Sequence, residues 1–133
     1  MENFKIVIVD DEPAIANTLC QILRNAHYSA FAAYEAEGAL MLCKHHRVNL
    51  LLSDVNMPGI NGIDLFKQVL RELPGCRVIL FSGHVDTAPL LALARREGFT
   101  CECLAKPVFP EVLLEKVRAA LDDKTQLVQS QTA

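Results

Sequence analysis

The chain has 133 residues, 51% of them hydrophobic and 22% charged, and carries a formal net charge of −3. This length suits one domain burying roughly two-thirds of its unfolded surface, and the composition excludes a disordered or fibrous protein. The negative balance gives no electrostatic support to nucleic-acid binding, and no apolar run nears the ~20 residues of a membrane-spanning helix.

Met1-Glu2-Asn3 is polar and acidic and runs straight into an apolar segment, so no secretory signal pattern opens the chain. A soluble, cytoplasmic domain is the expectation. The five cysteines (Cys20, Cys43, Cys76, Cys101, Cys103) are odd in number and scattered through apolar segments, unlike a secreted disulfide framework. Cys101 and Cys103 are too close for a zinc half-site, which normally places two residues between thiolates. Buried structural thiols are the simpler reading, and a redox sensor is the alternative.

In chain order, Phe4 to Val9 reads as a strand that is apolar on nearly every residue, as expected when helices cover both faces of a sheet. Pro13 suits a first helical position, and Ile15, Leu19, Ile22, Leu23 and Ala26 trace a helical stripe behind it. Ser29 to Ala33 is a weaker second strand. Ala36, Leu40 and Cys43 mark a second helix, ended by polar Lys44-His45-His46-Arg47. Leu50 to Ser53 is a third strand, stopped by a loop from Asp54 to Gly62 with turn signals at Pro58-Gly59 and Asn61-Gly62. Ile63, Phe66, Val69, Leu70 and Leu73 form the next stripe, closed by Pro74-Gly75. Arg77 to Phe81 is a fourth strand, Asp86 to Glu97 a fourth helix and Cys101 to Leu104 a fifth strand. Pro110 opens a last helix carrying Leu113, Leu114, Val117 and Leu121.

Five strands alternating with five helices predict an α/β fold with an open parallel sheet and right-handed crossovers. The domain is expected over residues 1–122. Residues 123–133 are polar, without a stripe, and read as a tail or the start of a linker.

Ligands of open α/β sheets bind outside the carboxyl ends of the strands. Asp10 and Asp11 follow the first strand, Asp54 the third, Ser82 the fourth, and Lys106-Pro107 the fifth. These groups should meet in one shallow cleft. Three carboxylates and one ammonium leave such a cleft net negative, and like charges raise one another's pKa unless a cation neutralises them. Mg²⁺ suits one or two carboxylates, waters and a phosphate oxygen. One carboxylate is then free to act as a nucleophile toward phosphorus, and Lys106 can serve as a point charge on phosphoryl oxygens. Ser82 can donate a hydrogen bond to another. The plainer readings are a helix cap for Asp10 and Asp11, a turn residue for Asp54 and a Ser-Gly turn at Ser82.

Val9-Asp10-Asp11-Glu12-Pro13, Asp54-Val55-Asn56-Met57-Pro58-Gly59-Ile60-Asn61-Gly62, Phe81-Ser82-Gly83 and Leu104-Ala105-Lys106-Pro107 together resemble the motifs of bacterial response-regulator receiver domains, in order and spacing, over about residues 4 to 121. The resemblance implies a flavodoxin-like, doubly wound sheet of strand order 2-1-3-4-5. It implies Asp54 as phosphoacceptor and a Mg²⁺ ion, replaceable by Mn²⁺, on Asp11, Asp54 and the backbone carbonyl of Asn56. Asp10 would act through a metal-bound water or from behind the ligands. Ser82, Gly83 and Lys106 would bind the phosphoryl group, and the bond before Pro107 would be cis. A sensor histidine kinase or histidine phosphotransfer protein would be the donor. The fourth helix, fifth strand and fifth helix would form a face for a downstream protein, with no nucleic acid or membrane bound. Catalysis would be limited to self-phosphorylation and autodephosphorylation.

Two positions depart from or qualify the pattern. Cys103 stands where receivers usually carry Tyr or Phe, an aromatic that swings inward as the hydroxyl residue moves toward the phosphoryl group. His84, at the expected pocket rim, would help set how water reaches the acyl phosphate; otherwise it is a solvated loop histidine. Other readings are an Asp54-dependent phosphatase or phosphotransferase, a flavin-binding domain and a receiver that binds partners without phosphorylation. Haloacid-dehalogenase-type enzymes, however, carry their nucleophile on the first strand with a cap domain, and no flavin phosphate loop follows the first strand here. Filled pocket positions speak against the non-phosphorylated receiver, and Cys103 speaks for it.

Overall fold

The computed structural model describes residues 3–83 and 88–122. Ten elements alternate along the described residues: β1 (Lys5–Val9), α1 (Pro13–Asn25), β2 (Ser29–Ala33), α2 (Ala36–His46), β3 (Leu50–Asp54), α3 (Gly62–Glu72), β4 (Arg77–Ser82), α4 (Ala88–Arg96), β5 (Glu102–Ala105) and α5 (Pro110–Asp122). The strands form one parallel sheet in the order β2-β1-β3-β4-β5. This is the flavodoxin-like, doubly wound architecture expected from the sequence.

Period-two alternation divides each central strand between two apolar layers. Ile6, Ile8, Leu50, Leu52, Ile79 and Phe81 pack with Leu19 and Leu23 of α1 and Leu113 and Val117 of α5. Val7, Val9 and Leu51 face the other way, against Ala39 and Cys43 of α2 and Leu65 and Val69 of α3. A third cluster joins Val55, Ile63 and Leu80 to Ala94 of α4. Ile6, Ile8, Leu50, Leu51, Leu52 and Leu80 are wholly buried, each worth about 1.5–3 kcal/mol of transfer free energy.

The helix ends explain most differences from the sequence reading. In α2, Glu35 caps the start by accepting from the Gly38 N–H at 2.8 Å. That helix runs through His45 and His46 and stops at Arg47, which adopts the left-handed conformation (φ 53°). His46 stacks on Phe31 with ring centroids 4.2 Å apart, which gives a polar residue an apolar reason to stay helical. In α3, Asn61 is the cap, accepting from the Asp64 N–H at 2.9 Å, so the helix starts at Gly62. The strands β3 and β4 include Asp54 and Ser82 themselves, because Asp54 pairs with Phe81 and Ser82 with Ala105. β5 begins at Glu102, one residue later than expected. The helix expected from Asp86 is α4 from Ala88 to Arg96, with Asp86 and Thr87 outside the described residues. His84 and residues 123–133 also lie outside them. Among the described residues, no helix is long and apolar enough to cross a membrane.

Candidate functional site

Parallel strands end together, and a backbone hydrogen bond fixes each exit. The Asp10 N–H donates to Ala33 O (3.2 Å), that of Val55 to Phe81 O (3.0 Å) and that of Lys106 to Ser82 O (3.0 Å). The side chains carried by these exits converge. Lys106 Nζ donates to Asp10 Oδ2 at 2.9 Å and to Asp54 Oδ2 at 3.2 Å. The Glu12 N–H, at the start of α1, donates to Asp10 Oδ1 at 2.9 Å. The Asn56 N–H donates to Asp54 Oδ1 at 3.3 Å. Asp10 therefore sits at the positive end of a helix with both oxygens held, which offsets part of the cost of full burial.

Asp10, Asp11 and Asp54 bring one carboxylate oxygen each to within 4.8 Å of one another. Asp10 and Asp54 are buried, and Asp11 is exposed. Burial pushes the Asp54 carboxyl above its ordinary pKa; the Lys106 charge and hydrogen bond pull it back, the Asp10 charge adds to the rise, and the balance stays upward. Burial works against the Lys106 ammonium, but its hydrogen bond to Asp10 and the charges of Asp54 and Asp10 outweigh this, so its pKa is raised. One cation thus serves two buried carboxylates. Burial, more than the sharing of that cation, keeps Asp54 raised beside a lysine. A hard, oxygen-seeking divalent ion fits this donor set, since the oxygens are close and the pocket is net negative.

Ser82 is half-buried at the end of β4 and Gly83 is exposed beyond it. A Cβ on Gly83 would stand 3.3 Å from Lys106 Cβ, so glycine leaves room for the lysine stem. The Lys106-Pro107 peptide bond is cis. Cys103 lies half-buried on β5, and burial together with the Asp54 charge pushes its thiol pKa up. That is the wrong direction for a reactive thiolate. Behind it, a cavity of about 170 Å³ is lined by Cys103, Leu80, Leu91, Ala94 and Phe99, among others. Thus the structure brings Asp10, Asp11, Asp54 and Lys106 together, sets Ser82, Gly83 and Asn56 beside them, and places Cys103 one layer back.

Three contributors went unnoticed as site residues in the sequence. Phe81 lies under Lys106, its ring centroid 5.3 Å from Nζ. The Glu12 N–H orients Asp10. Gly62, read only as half of an Asn-Gly turn, packs against the backbone of Asp54 and Val55. The turn pair spoke of conformation rather than of space, and the motif that ends on Gly62 assigned it no role.

The response regulator receiver domain family model matches residues 6–118. The nitrogen assimilation regulatory protein NtrX of Azorhizobium caulinodans is 33% identical over 119 residues, covering 88% of this chain and 26% of that protein. The DNA-binding response regulator MtrA of Mycolicibacterium smegmatis is 32% identical over 117 residues, covering 88% of this chain and 50% of that protein. The chain thus spans about a quarter to a half of the length of these curated relatives. Among solved structures, a response regulator receiver domain protein (CheY-like) from Methanospirillum hungatei JF-1 aligns with a TM-score of 0.84 at 29% identity, covering 94% of this chain and 98% of that one. The signal receiver domain of an HD domain-containing protein from Pseudomonas fluorescens Pf-5 gives 0.83 at 30% identity, with 91% and 96% covered.

Proposed function

The chain belongs to the response regulator receiver domain family of two-component signalling, and on that footing we propose that Asp54 accepts a phosphoryl group in a Mg²⁺-dependent reaction that switches a protein-binding face. The observation that carries this reading is the Lys106 ammonium bridging Asp10 and Asp54 inside the acidic triad.

Asp11, Asp54 and the Asn56 backbone carbonyl would hold the ion, with Asp10 behind them, and Mn²⁺ could substitute. When bound, the ion supplies positive charge to phosphoryl oxygens, which is the chief need of such transfers. Asp54 attacks the phosphorus of a phosphohistidine on a sensor kinase or phosphotransfer protein. The new O–P bond forms as the P–N bond breaks, and the electron pair leaves with the imidazole nitrogen. Lys106 loses one acidic partner at Asp54 and gains the phosphoryl oxygens instead. Ser82 donates its hydroxyl to another oxygen, and Gly83 leaves space for the group. His84, two residues beyond Ser82 in the sequence, would bear on the attack of water that later removes it.

Phosphorylation adds roughly −1.5 to −2 charges at Asp54. New contacts made only in that state shift the population of conformers. The α4–β5–α5 face is the proposed output surface. Its exposed apolar side chains, Leu90, Leu93, Phe109 and Val112, support a protein partner there. The receiver unit is assigned to residues 1–122, with 123–133 as a tail or the start of a linker. The proposed chemistry is limited to self-phosphorylation and autodephosphorylation.

Intact-mass analysis after incubation with acetyl phosphate and Mg²⁺ tests it. Wild type should gain one phosphoryl group, and chelator or Asp54→Asn should abolish the gain. Turnover of many phosphate esters would point to an enzyme instead, and indifference to phosphoryl donors and to beryllofluoride would point to a phosphorylation-independent scaffold.

A further inference from the structure

Between α3, α4 and the β4–β5 pair lies a cavity of about 170 Å³ that the acidic site does not use. Phe66 of α3, Leu80 of β4, Leu91 of α4 and Phe99, just past α4, supply apolar walls, and Cys103 of β5 supplies another. Protein interiors hold few voids larger than a water molecule, so a space of this size stands out. Phe66 and Phe99 meet edge to face, with ring centroids 6.3 Å apart and planes at 80°. That corner suits a third ring, because aromatic pairs favour perpendicular or offset contacts.

The polar groups of the lining set the rest of the chemistry. Cys101 donates its thiol hydrogen to Val78 O at 3.0 Å, so it presents no free donor. Arg95 is the one charged residue of the lining, and among the described residues it has no ion pair. Lys67, 5.0 Å from the Phe99 ring centroid, is already paired with Glu97 at 2.7 Å. Arg95 and Thr100 are exposed, which puts a positive charge and a hydroxyl at the mouth.

We propose that this cavity is a binding site for a monocyclic aromatic carboxylate, with its ring among Phe66, Leu80, Leu91 and Phe99 and its carboxylate on Arg95. An apolar cavity of about 150 Å³ takes one benzene ring, whereas drug-sized ligands need roughly 300 Å³ or more. A guanidinium grips a carboxylate as a fork, with two N–H donors on two oxygens. At the mouth the carboxylate also keeps part of its water, so only the ring is fully desolvated. Leu91 and Ala94, on the inner side of α4, close on the ring and tie that helix to the sheet. Leu90 and Leu93, exposed on the same helix, are then held with it. Binding does not require phosphorylation at Asp54.

The probe is benzoate, added to the whole protein while NMR spectra and the thermal midpoint are recorded. Saturable shifts are expected, with nuclear Overhauser contacts from ring protons to the methyl groups of Leu80, Leu91 and Ala94. The midpoint rises with concentration, as for a ligand that binds only the folded state. Acetate, the charge without the ring, gives none of these effects. Benzyl alcohol, the ring without the charge, gives the same contacts at weaker affinity. Arg95→Gln, a change at an exposed position, weakens benzoate about two- to fivefold and leaves benzyl alcohol unchanged. Cys103→Phe, checked for native circular dichroism, loses benzoate because its own ring takes the space. The ligand series needs no variant. No saturable binding by about 10 mM benzoate would overturn the proposal. So would contacts outside the cavity, acetate binding as tightly as benzoate, or equal weakening of benzoate and benzyl alcohol in Arg95→Gln.

Discussion

Gly62 stands so close to Asp54 that a side chain there would strike the carbonyl oxygen of Asp54 and lie 2.9 Å from the Val55 Cα. The Gly62 N–H donates to Val55 O at 2.9 Å, which draws the start of α3 back onto the end of β3. The site loop is thus clamped by backbone on backbone, an approach that only glycine permits.

Replacing Gly62 by Ala should cost about 1–3 kcal/mol, because backbone must shift to admit the methyl group. Urea unfolding checks this. Gly75→Ala is the control: nothing lies within 4 Å of a Cβ there, and its effect should stay within about 0.5 kcal/mol.

Lys106→Met leaves two buried carboxylates without their shared cation. Removing one partner of a buried pair costs about 3 kcal/mol or more, and added Mg²⁺ should restore part of it. The folded pKa of Lys106 is raised from 10.5, so its contribution is whole below that value and fades as pH rises through the folded one. Thermal midpoints of wild type and Lys106→Met should therefore differ at neutral pH and converge only in that alkaline window.

Asp54→Asn should stabilise the metal-free fold. The folded pKa of Asp54 is raised from 3.8, so the native state holds its proton longer than the unfolded chain. Stability then falls as pH climbs from the unfolded value through the folded one, and the penalty is constant above both. The amide escapes it. The variant's advantage in thermal midpoint should be full at neutral pH, vanish near pH 3, and shrink when Mg²⁺ is added to wild type.

Much of this site was readable because parallel strands end at one edge, so Asp10, Asp54, Ser82 and Lys106 could be placed together from the ends of apolar runs. The order of the strands was not readable from periodicity, since register between distant segments leaves no local pattern. The space required at Gly62 is a tertiary fact of the same kind. The end of α2 was legible in the polar run Lys44-His45-His46-Arg47, since the helix closes at His46 with Arg47 as its left-handed cap. Stacking of His46 on Phe31, which no local pattern shows, holds that turn helical.

Cys103→Phe should be tolerated or stabilising. The cavity of about 170 Å³ behind Cys103 offers a ring somewhere to go, and filling a void commonly gains about 0.5–2 kcal/mol. A loss of more than about 2 kcal/mol in urea unfolding would show that the void cannot admit the ring.

The most direct measurement is chemical trapping at the acceptor. The protein is phosphorylated with acetyl phosphate and Mg²⁺, treated with borohydride to reduce any acyl phosphate, and sequenced by mass spectrometry. Homoserine at position 54, formed only with Mg²⁺, is the predicted result. Homoserine at Asp10 or Asp11 instead, or equal labelling with chelator present, would contradict the account.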